Sequence, residues 1–470
     1  MEGTERNVNF FIFKVGGSVL SNPQDTEKVV KSFVRLRENK KNFRFVIVVS
    51  AFKGVTNKLV NALDNVNNLD VEKFLDELYI FHKSFILEGN ESIFQILKQQ
   101  VYSVERLLIG SKMIGKVPDF LRDKILCYGE RLSAIILNHN LNTMGLNCEV
   151  MFPEDFIVTD GVYGNSNVLL EKSRMLVRLS MKKWEESDSI IPGFYGRSVV
   201  DGNITILGRG GSDYTATALG YCLDAVGVVL IKDVPGFLTG DPRITKVTKT
   251  VKSLTYAEAD ELSYFGAKIL HHNAVEPLRL KNIPLYVCDW KSLENFEFSS
   301  FDNCDGCTVI FSSNSNDNGA RIKSVSMTND IAIIQFRGHN IGRVPGILGE
   351  IASCVSQIGV NIKFVITSQT SIVLIISKKD LDAVMRISEQ FKIKEIEDIS
   401  YSMDKSLIAV VGSGLLNYHG IASRIFKAVA NGKINVEMIS AGASDVSIYF
   451  IVNQKDGEKA LQLVHNEFFG

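Results

Sequence analysis

The sequence predicts an α/β protein, with a mainly parallel central sheet followed by two smaller ferredoxin-like units. Three observations carry this. Short apolar runs alternate with stretches of helical spacing over the first 311 residues, as expected when parallel strands are joined by helices. A polar stretch, Ser312-Ser313-Asn314-Ser315-Asn316-Asp317-Asn318-Gly319, then interrupts the pattern without apolar anchors. Beyond it one strand-helix-strand-strand pattern occurs twice, each copy half of a split βαβ plan.

The elements follow in order. Phe10 to Lys14 is an apolar strand that runs into Gly16-Gly17-Ser18. Asp25 to Asn39 places Val29, Val30, Phe33, Val34 and Leu36 near helical spacing, and Phe45 to Val49 is a continuous run suited to a buried parallel strand. It ends in the small, polar loop Ser50-Ala51-Phe52-Lys53-Gly54-Val55-Thr56-Asn57. Helical patterns fill Leu59 to Val117, and Gly129-Glu130 lies within a further one. Strand-like segments recur at Cys148 to Phe152, Ile190 to Pro192, Ile204 to Leu207 and Val226 to Lys232. Ligands of such sheets bind beyond the carboxyl ends of the strands, so the loops that follow these strands are expected to share one rim.

In the second half, Gly346-Ile347 opens a helix that ends near Gly359-Val360-Asn361-Ile362. Gly420-Ile421 opens another that ends near Gly432-Lys433-Ile434-Asn435-Val436, at an identical offset. Each helix has one strand before it (Ile331 to Phe336; Leu407 to Val411) and two after it. The expected division is 1–311 for the larger domain, 312–324 for a linker, and 325–400 and 401–470 for the two units. The repeated half reads as regulatory.

Composition narrows the function. Of 470 residues, 45% are hydrophobic and 22% charged, with 52 Lys plus Arg against 53 Asp plus Glu. That balance lacks the basic footprint of a nucleic-acid partner. No apolar run approaches the length of about 18 residues that a membrane helix needs. Met1 to Asn9 is polar and of mixed charge, unlike a signal or transit peptide. The seven cysteines show no disulfide rhythm, and the expectation is a cytoplasmic protein. Cys304-Asp305-Gly306-Cys307 lacks the second ligand pair of a structural zinc site. His271 and His272 are adjacent and do not share a helix face. No metal-ligating set is therefore assigned.

The chemistry concentrates in Leu207-Gly208-Arg209-Gly210-Gly211-Ser212-Asp213-Tyr214-Thr215-Ala216. Glycines let backbone N–H groups approach an anion, and Arg209 can grip a carboxylate or phosphate through two parallel hydrogen bonds. Asp213 among anions needs a metal or a lysine to organise. Lys14-Val15-Gly16-Gly17-Ser18 offers an ammonium at a strand end, able to neutralise a transferring phosphoryl group, although it is not a Walker A loop. Lys232-Asp233-Val234-Pro235-Gly236-Phe237-Leu238-Thr239-Gly240-Asp241-Pro242-Arg243 suits either a nucleotide clamp or a structural hairpin with charged tips. Phe265-Gly266-Ala267-Lys268-Ile269-Leu270-His271 adds another lysine after a helical pattern. Glu130 stands on an apolar pattern, as a solvated carboxylate or as a ligand for an ammonium. Spacing leaves both open.

Together, Lys14 to Ser18, Val48-Val49-Ser50-Ala51, Gly129-Glu130, Gly193-Phe194, Gly208 to Ala216, Lys232 to Arg243, Phe265 to His271 and both repeats resemble the aspartate kinases. These are enzymes of the amino acid kinase family that carry tandem ACT domains. The resemblance spans nearly the whole chain and implies a three-layer amino acid kinase-like fold followed by two ACT units. It implies ATP- and Mg2+-dependent phosphorylation of the L-aspartate side chain to 4-phospho-L-aspartate, the first step towards lysine, threonine and methionine. It implies Lys14, Asp213 and Lys268 as catalytic residues. Ser50, Thr56, Glu130, Phe194, Arg209, Gly210, Gly211 and Ser212 are implied to hold aspartate, with Glu130 on its ammonium. Lys14, Gly16, Gly17, Lys232, Asp233, Leu238, Arg243, Lys268 and Ile269 are implied around ATP.

Val15, Val19, Lys232, Leu238 and His272 depart from the common residues of the family (phenylalanine, serine, threonine or serine, tyrosine and proline), which bears on ATP affinity more than on reaction type. A homodimer or higher oligomer through the ACT units is expected, as is a monofunctional enzyme. Lys363 and Gln369 stand where lysine-inhibited relatives place acidic residues. Weak or absent lysine inhibition follows, with threonine or no effector in its place. The rivals are a kinase of another acidic amino acid and an amino-acid sensor without catalysis. The first fits the Gly208 to Ala216 run poorly. The second fits poorly with retention of Lys14, Glu130, Arg209, Asp213 and Lys268.

Overall fold

The structure is a computed structural model that describes residues 8–265, 270, 274–295, 306–312, 321–388, 393–415 and 417–470. Its described residues fall into two compact units, one from 8–237, 250–263, 270, 274–295 and 306–312, the other from 238–249, 264–265, 321–388, 393–415 and 417–470.

The first unit is organised around an eight-stranded sheet. From one edge to the other it runs Cys148–Val150, Asp188–Pro192, Phe43–Val49, Asn9–Val15, Gly227–Lys232, Leu285–Asp289, Cys307–Phe311 and Ser253–Thr255. Every neighbouring pair is parallel except Leu285–Asp289 with Cys307–Phe311. Both faces are covered, which is why the strands read as continuous apolar runs.

On one face Phe11, Phe13, Val15, Phe45, Ile47 and Val49 pack with Val29, Val30 and Phe33 of the helix Pro23–Asn39. Phe13 meets the Phe33 and Phe45 rings edge-on at 5.4 and 5.0 Å. That helix starts where the Asn22 side chain accepts the Asp25 N–H at 2.9 Å, satisfying one of its free donors.

The opposite face carries Ile12, Val228 and Leu230 against the helix Gly211–Cys222. The helix lies close because Gly220 has no side chain; a Cβ there would come within 2.6 Å of Val228 Cγ2. Side chains alternate along a strand, so Lys14 follows Ile12, and Lys232 follows Leu230, onto this face. The parallel register sets Lys14 beside Leu230. Two lysines thus emerge at the carboxyl end of neighbouring strands, facing the start of one helix.

One expectation is refined. Ile204–Ile206 does not join the central sheet; it pairs antiparallel with Tyr195–Ser198 in a separate three-stranded sheet. Periodicity fixes that a segment is extended, not which sheet receives it.

The second unit contains two antiparallel sheets that hold the three strands read in each repeat and add a fourth to each, Asp398–Ser402 and Arg321–Thr328. One orders Phe364–Thr367, Ser371–Ile376, Ala332–Arg337 and Asp398–Ser402. Ile351 and Val355 of the helix Ile347–Gln357 pack on its core. The other orders Arg321–Thr328, Lys405–Ser413, Ser447–Asn453 and Val436–Ala441, with Ile425, Val429, Leu461 and Val464 from two helices behind it. Arg321–Thr328, a strand at the expected start of the first repeat, pairs with Lys405–Ser413 of the second.

Candidate active site

Beyond the carboxyl ends of the central strands lies a cleft of about 750 Å³ in the first unit. Lys14, Ser50, Thr56, Phe194, Arg209, Gly210, Gly211, Ser212, Asp213 and Lys232 line it. Segments far apart in sequence meet here because the parallel sheet delivers each strand end to the same rim.

At its floor Asp213 lies between two lysines. Lys14 Nζ is 2.7 Å from Oδ1 and Lys232 Nζ is 2.6 Å from Oδ2. Burial alone would raise the Asp213 carboxyl, but the two ammonium groups hold it at about 2. Burial pushes Lys14 below the usual lysine range, against the pull of Asp213. With Arg209 at the rim, three cations face one anion, so the cleft attracts negatively charged ligands.

Gly210 adopts a left-handed φ of 74° and caps the helix Gly211–Cys222. The N–H groups of the first turn have no intrahelical acceptor and carry the positive end of the helix dipole. They open beside Arg209. Phe194, a residue with side chain at φ 83°, is held by Thr215 Oγ1 accepting its N–H at 3.0 Å and by its carbonyl accepting the Leu207 N–H at 2.7 Å. A strained backbone fixed from both sides is typical of a ligand clamp.

Glu130 belongs to the helix Tyr128–Thr143 and is 4% exposed. Burial pushes its carboxyl up to about 8, against hydrogen bonds from the Ala51 and Glu130 N–H groups and the nearby Lys14 charge. Its Oε2 has no hydrogen-bond partner among the described residues. This settles the open reading of Glu130 in one respect: it is not a solvated face.

The remaining sequence-expected residues distribute as follows. Gly16 donates its N–H to the Ile231 carbonyl at 3.2 Å, and Gly17 lies against the Ala51 carbonyl, where a Cβ would come within 2.6 Å of the oxygen. Asp233 is exposed just beyond Lys232. Leu238 and Arg243 belong to the second unit, where Ser324 Oγ donates to the Leu238 carbonyl at 2.8 Å and the exposed Arg243 pairs with Asp241 at 2.6 Å. Lys268, Ile269, His271, His272 and Cys304 lie outside the described residues; Cys307 is buried in its strand. Sequence reasoning missed Leu126, Gly164 and Ile206 in the cleft wall, because none carries a reactive group. Among the described residues no cluster of three His, Cys, Asp or Glu is placed to hold a metal, and no helix is long and apolar enough to cross a membrane.

Comparison with known proteins agrees with this geometry. The amino acid kinase family profile matches residues 9–289, and ACT domain profiles match 326–387 and 408–468. The bifunctional aspartokinase/homoserine dehydrogenase of Buchnera aphidicola is 28% identical over 480 residues, covering 97% of this chain and 56% of that one. Aspartokinase 1, chloroplastic, of Arabidopsis thaliana is 28% identical over 471 residues, covering 97% and 80%. This chain thus spans about half the length of its bifunctional relatives. Among solved structures, Escherichia coli aspartokinase III in complex with aspartate and ADP superposes with a TM-score of 0.80 at 22% identity, covering 98% of this chain and all of that one. Clostridium acetobutylicum aspartate kinase gives 0.77 at 24% identity, with the same coverage. By a profile match over more than half of its length, and by the fold that profile describes, the chain belongs to the amino acid kinase family.

Proposed function

We propose that this protein transfers the γ-phosphoryl group of ATP to the side-chain carboxylate of L-aspartate, giving 4-phospho-L-aspartate and ADP. The observation that carries the reading is the buried Glu130 carboxyl, whose Oε2 has no hydrogen-bond partner among the described residues and which lies near Lys14 of a cationic cleft. An acceptor that satisfies both brings an ammonium for Glu130 and carboxylates for Arg209 and the helix N-terminus. An acidic amino acid has that charge pattern, and the aspartokinase names of the relatives support aspartate.

The chemistry asks little of the protein. An aspartate side chain has a pKa near 3.9 and is already ionised, so no general base is needed. One carboxylate oxygen attacks the γ-phosphorus while the bond to the bridging oxygen of ADP breaks. Catalysis then rests on alignment and charge neutralisation. Lys14 supplies the neutralising ammonium, Asp213 holds Lys14 and Lys232 in place, and Arg209 with Gly210, Gly211 and Ser212 fixes the acceptor. Both Asp213 oxygens are already engaged by lysines, so Mg2+ arrives on the phosphates of MgATP as part of the substrate. Asp233, Leu238, Arg243, Lys268 and Ile269 are assigned to the nucleotide by resemblance.

The ACT units are proposed to regulate and to pair two copies of the chain. Phe364–Thr367 and Val436–Ala441 are edge strands of their sheets, with backbone groups open to a partner strand.

The test is ADP release from MgATP with L-aspartate, with L-glutamate and without acceptor. Turnover that depends on aspartate alone supports the reading. Equal turnover with glutamate moves the assignment to another acidic acceptor, and none with either, while amino acids still bind, moves it to a sensor.

A further inference from the structure

One wall of the cleft is built on a carboxylate for which the transfer reaction has no use. Asp123 sits in the helix Asp119–Leu126 and is fully buried. Its Oδ2 accepts two backbone N–H groups, from Gly164 at 2.9 Å and from Ile206 at 3.0 Å. Both residues line the cleft, and so does Leu126, one turn along the same helix. A single oxygen therefore ties three separate pieces of the wall together.

The tie extends to the glycine run. The Ser166 N–H donates to the Ile206 carbonyl at 2.9 Å, which fastens the Gly164 loop to the strand Ile204–Ile206. The next residue, Leu207, donates to the Phe194 carbonyl. Gly208 then packs against the Asn165 side chain so closely that a Cβ would collide with it. Arg209 and Gly210 follow at once. Where that run lies is thus fixed by a bracket whose fastening is Asp123.

Packing does not explain the residue. Its other oxygen, Oδ1, has no hydrogen-bond partner among the described residues. Burial raises the carboxyl above its usual range, against the two backbone donors. An apolar side chain would fill the space without that desolvation cost, but it would leave the two N–H groups without an acceptor. The carboxylate is therefore matched to the geometry of the wall.

We propose that Asp123 is a positioning residue for the acceptor half of the site, setting Gly164, Ile206 and through them Arg209 to Ser212 at the spacing L-aspartate requires. The proposal rests on the aspartate kinase reading. It predicts an effect on the acceptor that leaves the nucleotide alone, since Lys14 and Lys232 stand on the central sheet and not on the bracket.

The experiment compares Asp123→Ala and Asp123→Asn with the native protein by steady-state kinetics in both substrates, alongside thermal unfolding. Displacement of the Arg209 to Ser212 run loses hydrogen bonds to the charged acceptor, so Asp123→Ala is expected to raise KM for aspartate about tenfold or more while KM for ATP stays within about twofold. Asp123→Asn keeps a carbonyl oxygen for both N–H donors and is expected to restore KM for aspartate to within about threefold of native. A parallel rise of both KM values, a fall in kcat alone, or an Asn variant as impaired as the Ala variant would overturn the proposal. If Asp123→Ala does not fold, Asp123→Ser, with a shorter acceptor, is judged by the same split. Absence of aspartate-dependent turnover in the native protein would remove the underlying reading, an outcome that involves no substitution and so is distinct from failure of the Asp123 assignment.

Discussion

Lys14 Nζ and Asp213 Oδ1 lie 2.7 Å apart, each side chain 7% exposed, at the point where the first strand meets the helix behind the glycine run. With Lys232 on the other oxygen, one buried anion separates two cations. Breaking a buried pair by removing one partner costs about 3–5 kcal/mol. Asp213→Asn is therefore expected to lower the unfolding temperature and to abolish turnover measured below both transitions. Adding Lys232→Met should recover part of the stability, because only one uncompensated ammonium remains. Unchanged stability in Asp213→Asn would contradict the geometry.

Glu130 gives a pH dependence with a definite sign. Its carboxyl is raised to about 8 by burial, so the empty protein carries it protonated at neutral pH. On the proposed reading, in which the aspartate ammonium meets Glu130, the ammonium needs the carboxylate and binding expels the proton. KM for aspartate should fall as pH rises towards 8 and level off above it, by up to about tenfold per unit below the pKa. Glu130→Gln should remove the slope and raise KM throughout. Folding responds in the opposite sense: the folded state retains a proton that the unfolded chain releases above its ordinary value of 4.5, so this group lowers stability as pH rises from there to about 8.

His82 predicts an acid sensitivity unrelated to catalysis. It is fully buried beside Phe52, its Nδ1 bonds the Leu78 carbonyl at 2.7 Å, and burial lowers it from 6.5 to about 4. The unfolded chain takes up the proton first, so stability is lost as pH falls from 6.5 towards 4. A shift of that size corresponds to about 3 kcal/mol. Denaturant unfolding at pH 7 and pH 4.5 should show His82→Phe losing less stability on acidification than the native protein does. Equal losses would place the acid-labile group elsewhere.

Regulation by lysine is predicted to be weak. Lys363 already donates to the Asp330 carbonyl at 2.8 Å and sits 3.6 Å from its carboxylate. If, as the resemblance implies, this is where lysine-inhibited relatives place an acidic residue for the effector, a lysine would bring a second ammonium to a position held by a cation, and like charges repel. Turnover should be insensitive to L-lysine at physiological concentrations. Half-inhibition in that range would contradict this account.

The sequence made the architecture legible because its signals were redundant. Phe10 to Lys14 read as an apolar strand and Phe45 to Val49 as a buried parallel one from apolar continuity, and the two ACT repeats announced themselves by equal spacing. The site was legible where residues were chemically unusual: Lys14, Arg209 and Asp213 stood out beside glycines. Leu126, Gly164 and Ile206 did not, since an apolar or glycine residue joins a wall through tertiary placement. Asp123 lay a few residues ahead of Gly129-Glu130, a carboxylate on an apolar pattern, and that was the available signal. Ile204–Ile206 was rightly extended but wrongly grouped, because periodicity marks a segment as extended without naming its pairing partner. That Lys14 and Lys232 both meet Asp213 depends on the register of their two parallel strands and on the helix Gly211–Cys222 packed over them, which periodicity does not encode.

The most direct measurement of the central claim is detection of the acyl phosphate itself. Protein, MgATP and L-aspartate are incubated with hydroxylamine, which displaces phosphate from an acyl phosphate to give a hydroxamate. Formation of aspartyl hydroxamate in step with ADP, abolished by Lys14→Ala in a folded protein, is the predicted result. ADP release without hydroxamate, or hydroxamate formation undiminished by Lys14→Ala, would contradict it.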